Sequence, residues 1–220
     1  MTLQQNAVTT LLAMTFVVVA LFLPWYSTTY EDGSRVQEYP FFVDVREGEG
    51  EDAKDDWKSY GSLCDEGSPA LPSSNQTCSS TGRFTLMTEV WTLTLLDAAT
   101  LGFEIIFLWC ISRTFLNSEK IPLLVTWSIP AITALFSLLI QLGAILWYLR
   151  HPTSVSNDMP GVSSSFPGVS GFIGSEGAAS WGPGSGWDIG VTATCLCLVN
   201  FLVMVWLLRS TRKNHADNQL

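Results

Sequence analysis

The sequence predicts an all-α membrane protein: a four-transmembrane-helix bundle with a small extracellular antiparallel β-sheet formed by the first loop. Three observations lead to this fold class. Hydrophobic residues make up 47% of the 220 residues, and they are gathered into four long blocks. Almost all charged residues lie between those blocks, and the longest polar segment contains short strand-like pieces. A soluble domain would instead spread its apolar residues with a period of two or 3.6.

Each of the four apolar blocks is long enough to be a membrane span, because a helix crossing the hydrocarbon core needs about 20 residues. The predicted spans are 7–25, 86–111, 121–149 and 187–208. They leave an N-terminus (1–6), two long loops (26–85 and 150–186), a turn (112–120) and a C-terminal tail (209–220). A signal peptide is the alternative for the first block. However, no Lys or Arg precedes that block, and no Ala-x-Ala-like cleavage site follows Leu23.

Basic residues in the short connections predict the orientation, since cytosolic loops are enriched in Lys and Arg. Arg113 and Lys120 flank the turn between the second and third spans, and Arg209, Arg212 and Lys213 follow the fourth. We therefore expect both termini in the cytosol and both long loops outside. The plasma membrane is the expected location.

The first loop is strongly acidic, with twelve acidic and four basic residues between Glu31 and Glu66. Its charge run, 46–56, is interpreted as a solvated, mobile tip, with a weak site for a cation or a basic partner as the alternative. Three flanking pieces alternate β-branched or aromatic residues with polar ones and are predicted as short strands. They are 34–39, 41–45 and 83–86.

Two cysteines lie in this loop, Cys64 and Cys78. On the oxidising side of a membrane they are expected to form a disulfide. Free thiols or metal ligands are the alternatives, although the loop contains no His to complete a zinc site. Asn75 begins the only Asn-x-Ser/Thr sequence of the chain and is predicted to be glycosylated.

The second loop is rich in Gly and Ser, and its composition predicts a flexible segment. Aromatic pairs stand at the outer ends of the spans, where amphipathic rings favour the lipid–water interface. These rings are interpreted as interface anchors, with a ligand cage as the alternative. They are Trp25, Tyr26, Trp147, Tyr148, Trp181 and Trp187.

Polar residues also occur inside the predicted spans, where ionisable groups are costly and are candidates for function. Asp97 and Glu104 are seven residues apart and share one helix face. One hypothesis is hydrogen bonding between helices by the protonated carboxyl groups, and the other is a proton or cation path. The predicted intramembrane cluster is Glu89, Asp97, Glu104, Gln141 and Asn200.

Catalytic chemistry is not expected. The sequence has no phosphate-binding Gly-Lys-Ser/Thr loop, Gly-x-Ser-x-Gly elbow or His-Glu-x-x-His motif. Its two histidines, His151 and His215, fall on opposite sides of the membrane in the predicted topology. We predict no catalytic residues, no cofactor and no metal site. The net charge of -9 also argues against a nucleic-acid partner, which would require clustered Lys and Arg.

The plan resembles the claudin, epithelial membrane protein and amastin group of four-span proteins. The resemblance rests on Trp25 at the end of the first span, on 57–64 (WKSYGSLC) with Cys78, on Arg83 before the second span, and on 184–187 (GSGW) at the fourth. The claudin Gly-Leu-Trp-x-x-Cys pattern is not reproduced, because Trp57 precedes Gly61 and Leu63. The amastin signature with its Asp-Cys ending is absent as well.

The resemblance implies the topology and the outer sheet more than a particular role, because a fold does not determine a function. The expected function is non-enzymatic: lateral assembly, adhesion at the cell surface, or organisation of a membrane complex. An ion or proton channel using the carboxylates of the second span is one alternative, and an accessory subunit of a larger complex is another. The expected partners are the lipid bilayer and further membrane proteins, including copies of the same chain.

Overall fold

A computed structural model describes residues 3–47, 54–64, 78–115, 123–160 and 168–217, and shows a mostly helical chain with one small antiparallel sheet. The helices are α1 (Leu3–Ala20), α2 (Thr81–Phe115), α3 (Leu123–Tyr148), α4 (His151–Asp158) and α5 (Ser185–Asp217). The strands are β1 (Tyr26–Thr29), β2 (Arg35–Glu38), β3 (Val43–Glu47), β4 (Lys54–Lys58), β5 (Gly174–Glu176) and β6 (Ala179–Pro183). A 3₁₀ helix covers Tyr60–Cys64.

Three helices are long and apolar enough to cross a membrane within the described part of the chain: Thr81–Ser112, Ser128–Tyr148 and Ser185–Ser210. They correspond to the second, third and fourth predicted spans. The apolar part of α1, Ala7–Ala20, is shorter than that criterion requires. The three long apolar helices therefore support an integral membrane protein, and the first span stays a prediction.

The chain divides into two compact units. The helical unit contains residues up to 18, 93–143 and 190 onward, and the sheet unit contains 19–92 and 144–189. The long helices contribute residues to both units. In the helical unit, small side chains let α1, α2 and α5 approach closely, as is usual where lipid supplies no hydrophobic drive between helices. This core contains Ala13, Val17, Ala98, Leu101, Ala193 and Cys197.

The sheet draws on both long loops, whereas the sequence predicted a sheet from the first loop alone. Its strand order is β4-β3-β2-β1-β6-β5, with every neighbouring pair antiparallel. The decisive pairing joins β1 to β6, with Tyr26 opposite Pro183 and Thr29 opposite Ser180. Two of the predicted strands, 34–39 and 41–45, occur as β2 and β3.

The third predicted strand, 83–86, is wrong, because these residues form the first turns of α2. Backbone N–H groups in the first turn of a helix need external acceptors. Here the carboxylate of Asp158 accepts from the N–H groups of Gly82 at 2.7 Å and Arg83 at 2.9 Å. That acceptor lies about 75 positions away in sequence, so the local pattern contains no sign of it.

The second loop is more ordered than its Gly and Ser content predicted, since it contains α4 and the β5–β6 hairpin. Two glycines are needed there for close packing. A Cβ atom at Gly174 would overlap the indole ring of Trp181, and one at Gly184 would overlap the carbonyl oxygen of Pro24. The glycines therefore allow close contact between segments instead of indicating a flexible loop.

The charge run of the first loop is also partly ordered. Arg46 and Glu47 end β3, and 54–56 begin β4, with 48–53 outside the described residues. Arg46 lies directly opposite Asp55 across the two strands, and such a pair of opposite charges supports strand pairing. Arg46 lies 3.9 Å from Asp55, and Lys58 lies 3.2 Å from Glu47. The mobile-tip prediction is therefore wrong for the strand residues of this run.

Candidate functional site

Four charged or titratable side chains are buried together in the sheet unit, and we call them the ionic cluster: Glu38, Arg83, His151 and Asp158. Glu38 is the last residue of β2, Arg83 lies in the first turn of α2, and His151 and Asp158 are the two ends of α4. None of the four is more than 3% exposed. Three elements that are distant in sequence thus bring their polar groups to one buried position.

The geometry makes Glu38 the centre of the ionic cluster. One carboxylate oxygen lies 3.0 Å from Nε2 of His151, and the other lies 3.7 Å from Nη1 of Arg83. Nε of Arg83 lies 3.4 Å from the carboxylate of Asp158. The guanidinium group therefore joins two carboxylates, and one of these also accepts the N–H groups that begin α2.

Aromatic rings enclose the histidine. The Tyr26 ring stacks on the His151 ring with centroids 3.8 Å apart, and the Tyr148 centroid lies 5.7 Å away. Burial alone would raise the pKa of Glu38, but His151 and Arg83 outweigh it and leave that pKa below its usual value. Burial raises the pKa of Tyr26, and the charge of Glu38 adds to the effect.

In this arrangement the buried charges are paired with one another. A buried charge is tolerated when it is paired and hydrogen-bonded, and each carboxylate here has such partners. Within the described part of the chain, Nη2 of Arg83 and Nδ1 of His151 have no hydrogen-bond partner. The ionic cluster thus ties β2, α2 and α4 together.

Sequence reasoning did not identify the ionic cluster. In the sequence, Arg83 stands out only through the family resemblance, and His151 has no second histidine on the same side of the membrane in the predicted topology. Nothing in the local sequence marks Glu38 or Asp158 among twenty acidic residues. Only the pairing of the two loops places these groups together.

The predicted disulfide joins Cys64 and Cys78, with Cα atoms 5.5 Å apart. It connects the end of the 3₁₀ helix to a position three residues before α2. Directly after it, the N–H of Ser79 donates to the backbone oxygen of Asp158 at 2.7 Å. The predicted glycosylation site, Asn75, lies outside the described residues.

The helical unit contains a second buried polar group, centred on Glu104. Nδ2 of Asn200 donates to a carboxyl oxygen of Glu104 at 3.0 Å, and the Thr10 hydroxyl lies 3.2 Å from the same oxygen. All three side chains are fully buried. They connect α2, α5 and α1, and Thr10 was not among the residues that the sequence singled out.

The other predicted polar residues occupy separate positions. Asp97 accepts from the thiol of Cys197 at 3.9 Å, and Gln141 donates to the backbone oxygen of Gly190 at 3.4 Å. Glu89 belongs to the sheet unit, is exposed, and accepts from Nε1 of Trp147 at 2.8 Å. The five residues thus do not form one continuous cluster.

An open apolar groove of about 470 Å³ lies between α2 and α3 in the helical unit. Its lining contains no carboxylate. The lining residues are Leu96, Ala99, Thr100, Phe103, Thr133, Phe136 and Ile140.

Most of the predicted interface anchors are buried, which contradicts that interpretation for them. An anchoring ring must reach the headgroup region, yet Trp25, Tyr26, Tyr148 and Trp181 are at most 6% exposed. They pack within the sheet unit, as in the edge-on contact of Trp25 with Tyr148 at 5.2 Å. Trp147 is 40% exposed and Trp187 is partly buried, so the anchor role stays a prediction for these two.

No family model matches this chain, and no curated protein matches its sequence. The resemblance to the claudin group therefore stays a prediction that rests on the motifs of the sequence.

Proposed function

We propose that this chain is a four-span membrane protein of the plasma membrane that acts without catalysis, by lateral assembly with neighbouring membrane proteins. In this proposal the first span is 7–25, which consists of the apolar part of α1, Ala7–Ala20, and the residues that follow it. The 14 residues of Ala7–Ala20 rise about 21 Å at 1.5 Å each, and the five residues that follow extend the span toward the roughly 30 Å of a hydrocarbon core.

The proposed orientation places both termini in the cytosol and the sheet outside. The basic residues of the turn 112–120 and of the tail support it. A tag after Leu220 should stain only in permeabilised cells, and a tag inserted between β3 and β4 should stain in intact cells. Staining of the C-terminal tag in intact cells would contradict the orientation.

One observation carries the proposed role: the β1–β6 pairing joins the two long loops into a single sheet. The ionic cluster and the disulfide stabilise that sheet, and the buried charged groups of the cluster bind one another. β4 stands at one end of the strand order, with β3 as its one neighbour among the described strands. An edge strand offers backbone hydrogen-bonding groups to another chain, which suits a binding surface.

The experiment is co-isolation, in mild detergent, of two differently tagged copies expressed together. We expect the second tag to co-purify, and the double variant Asp55→Lys/Asp56→Lys, which reverses the charge of two exposed side chains on β4, to reduce the yield. Glu176→Lys, on the opposite edge strand β5, is the matched control and should leave the yield unchanged. Equal yields from the two variants would contradict a role for β4. Recovery of a different membrane protein with no second copy would favour an accessory subunit.

An ion or proton channel is the second candidate, favoured by one observation. The second carboxyl oxygen of Glu104 is buried without a hydrogen-bond partner in the part of the chain that the structure describes. Proton flux in liposomes that disappears in the Asp97→Asn/Glu104→Gln variant would support this candidate. Absence of flux in the unchanged protein would reject it.

A further inference from the structure

An exposed aromatic patch lies at one end of the sheet, and it belongs to neither the ionic cluster nor the disulfide. The rings of Tyr39, Phe42 and Trp57 pack on one another with centroids 4.4–5.5 Å apart. Phe41, at the tip of the β2–β3 turn, packs edge-on against Trp91 of α2 at 4.7 Å. Trp57 is 62% exposed and Phe41 is 48% exposed. We call these five residues the aromatic patch.

Three of its rings lie on the polar face of the sheet, where exposed aromatic residues are unexpected. Side chains alternate between the two faces of a strand. The inner face carries buried residues such as Val36, Val43 and Val45. The strand register places Trp57, Asp44 and Gln37 in one row on the opposite, polar face. Ser180 of β6 lies on this polar face too, at the other end of the strands. The aromatic patch is therefore additional to the core of the sheet.

The contact with Trp91 sets the level of the patch relative to the membrane. Trp91 lies within the apolar span Thr81–Ser112. Glu89 lies two residues before Trp91 in α2, about 3 Å closer to the outer end of the helix in the proposed orientation. Its carboxylate accepts from the exposed indole of Trp147, and the guanidinium of Arg150 lies 4.3 Å from the same ring. Exposed Trp rings of membrane proteins are enriched at the headgroup level. Phe41 therefore contacts the helix just below that level.

We propose that the aromatic patch inserts into the lipid–water interface of the outer leaflet and holds that end of the sheet against the bilayer. The occupant is lipid because the patch continues directly onto the surface of a membrane-spanning helix. Tyr and Trp rings favour that region, where the ring is shielded and the polar edge stays hydrated. This proposal adds a membrane contact to the proposed function and does not depend on lateral assembly.

The test uses the full chain in phosphatidylcholine vesicles and measures the tryptophan fluorescence of Trp57 by difference. Trp57→Phe removes one of nine tryptophans, so the difference from the unchanged protein isolates its signal. Acrylamide quenches from water, and lipid brominated near the top of its acyl chains quenches from the interface. We expect brominated lipid to quench the fluorescence of Trp57 and acrylamide to leave it unchanged.

The matched control is Trp57→Phe/Ser180→Trp, which restores nine tryptophans and places the new ring on the same face at the far end of the sheet. The fluorescence of the tryptophan introduced at position 180 should be quenched by acrylamide and unchanged by brominated lipid. Phe41→Trp, added to the otherwise unchanged chain, should be quenched by the brominated lipid as well, and it tests the patch without removing Trp57.

Two results would overturn the proposal. Quenching of the Trp57 component by acrylamide with no effect of brominated lipid would place the patch in water. The second result is that neither quencher affects the fluorescence of Trp57 until the protein is diluted with excess lipid. This would show that a second copy of the chain covers the patch. Intact Cys64–Cys78 linkage in non-reducing peptide mapping checks that each variant is folded.

Discussion

The ionic cluster of the sheet unit and the polar group around Glu104 in the helical unit use different chemistry. In the sheet unit, the carboxylates of Glu38 and Asp158 meet the guanidinium of Arg83 and the imidazole of His151. In the helical unit, the carboxyl group of Glu104 has hydroxyl and amide partners, Thr10 and Asn200. One group is stabilised as ion pairs, and the other is built from hydrogen bonds between helices.

The comparison shows that the environment of a buried carboxyl group determines which kind of side chain binds it. Basic side chains at the ends of helices can be brought into a folded sheet unit, where each charge is paired. Within a membrane-spanning bundle a cation is expensive, so short polar side chains on neighbouring helices serve instead. Removing one member of an ion pair leaves a buried charge unpaired, whereas removing a neutral hydrogen bond costs much less. The two groups should therefore respond very differently to substitution.

The largest effect is expected from Arg83→Met, which leaves the carboxylates of Glu38 and Asp158 buried without their shared cation. Breaking a buried pair from one side costs about 3–5 kcal/mol. The thermal unfolding midpoint in detergent should fall sharply, or the protein should fail to reach the cell surface. Lys58→Met removes only exposed ion pairs and should cost less than about 1 kcal/mol. Similar losses for both variants would contradict the importance of burial.

The disulfide should rank next. Closing a loop of about 15 residues contributes roughly 3 kcal/mol in the chain-entropy model. Cys64→Ser should therefore lower the unfolding midpoint and reduce export. Cys195→Ser, which changes an exposed free thiol, should have little effect. Alkylation of Cys64 or Cys78 in exported, unreduced, undenatured protein would show that the linkage is not formed.

Acid should weaken the ionic cluster. The pKa of Glu38 in the folded protein lies below its ordinary value of 4.5. A lowered carboxyl pKa stabilises the folded state fully above the unfolded pKa, and the contribution is lost as the pH falls through the folded pKa. The unfolding midpoint should therefore decline below about pH 4.5, and this decline should be shallower in Glu38→Gln. Parallel pH profiles for the two proteins would assign the acid sensitivity to other groups.

The smallest effects are expected in the helical unit. Glu104→Gln keeps a group that can accept from Asn200 and should leave folding nearly unchanged. Glu104→Leu removes the acceptor and should cost about 0.6–2 kcal/mol, the usual range for a hydrogen bond between membrane helices. Both variants can be compared by thermal unfolding in detergent. A loss from Glu104→Gln as large as that from Arg83→Met would remove the distinction between the two groups.

Sequence patterns identified the features that depend on neighbouring residues. Long apolar blocks predicted four spans, of which three satisfy the length criterion in the described part of the chain, and alternation predicted the strands β2 and β3. Two loop cysteines predicted the disulfide. The segment 83–86 has the same strand-like alternation but belongs to the first turns of α2, where Asp158 of α4 accepts from the N–H groups of Gly82 and Arg83.

By itself, the sequence determined where the chain is apolar, which segments repeat with the period of a strand, and which cysteines can pair. These properties depend on composition and spacing along a few residues. The tertiary structure alone decided that β1 pairs with β6, that Glu38 meets Arg83 and His151, and that Trp25 is buried while Trp57 is exposed. Burial and charge pairing depend on which distant segments come together, and the free energy of a buried charge is set by those neighbours instead of by its place in the chain.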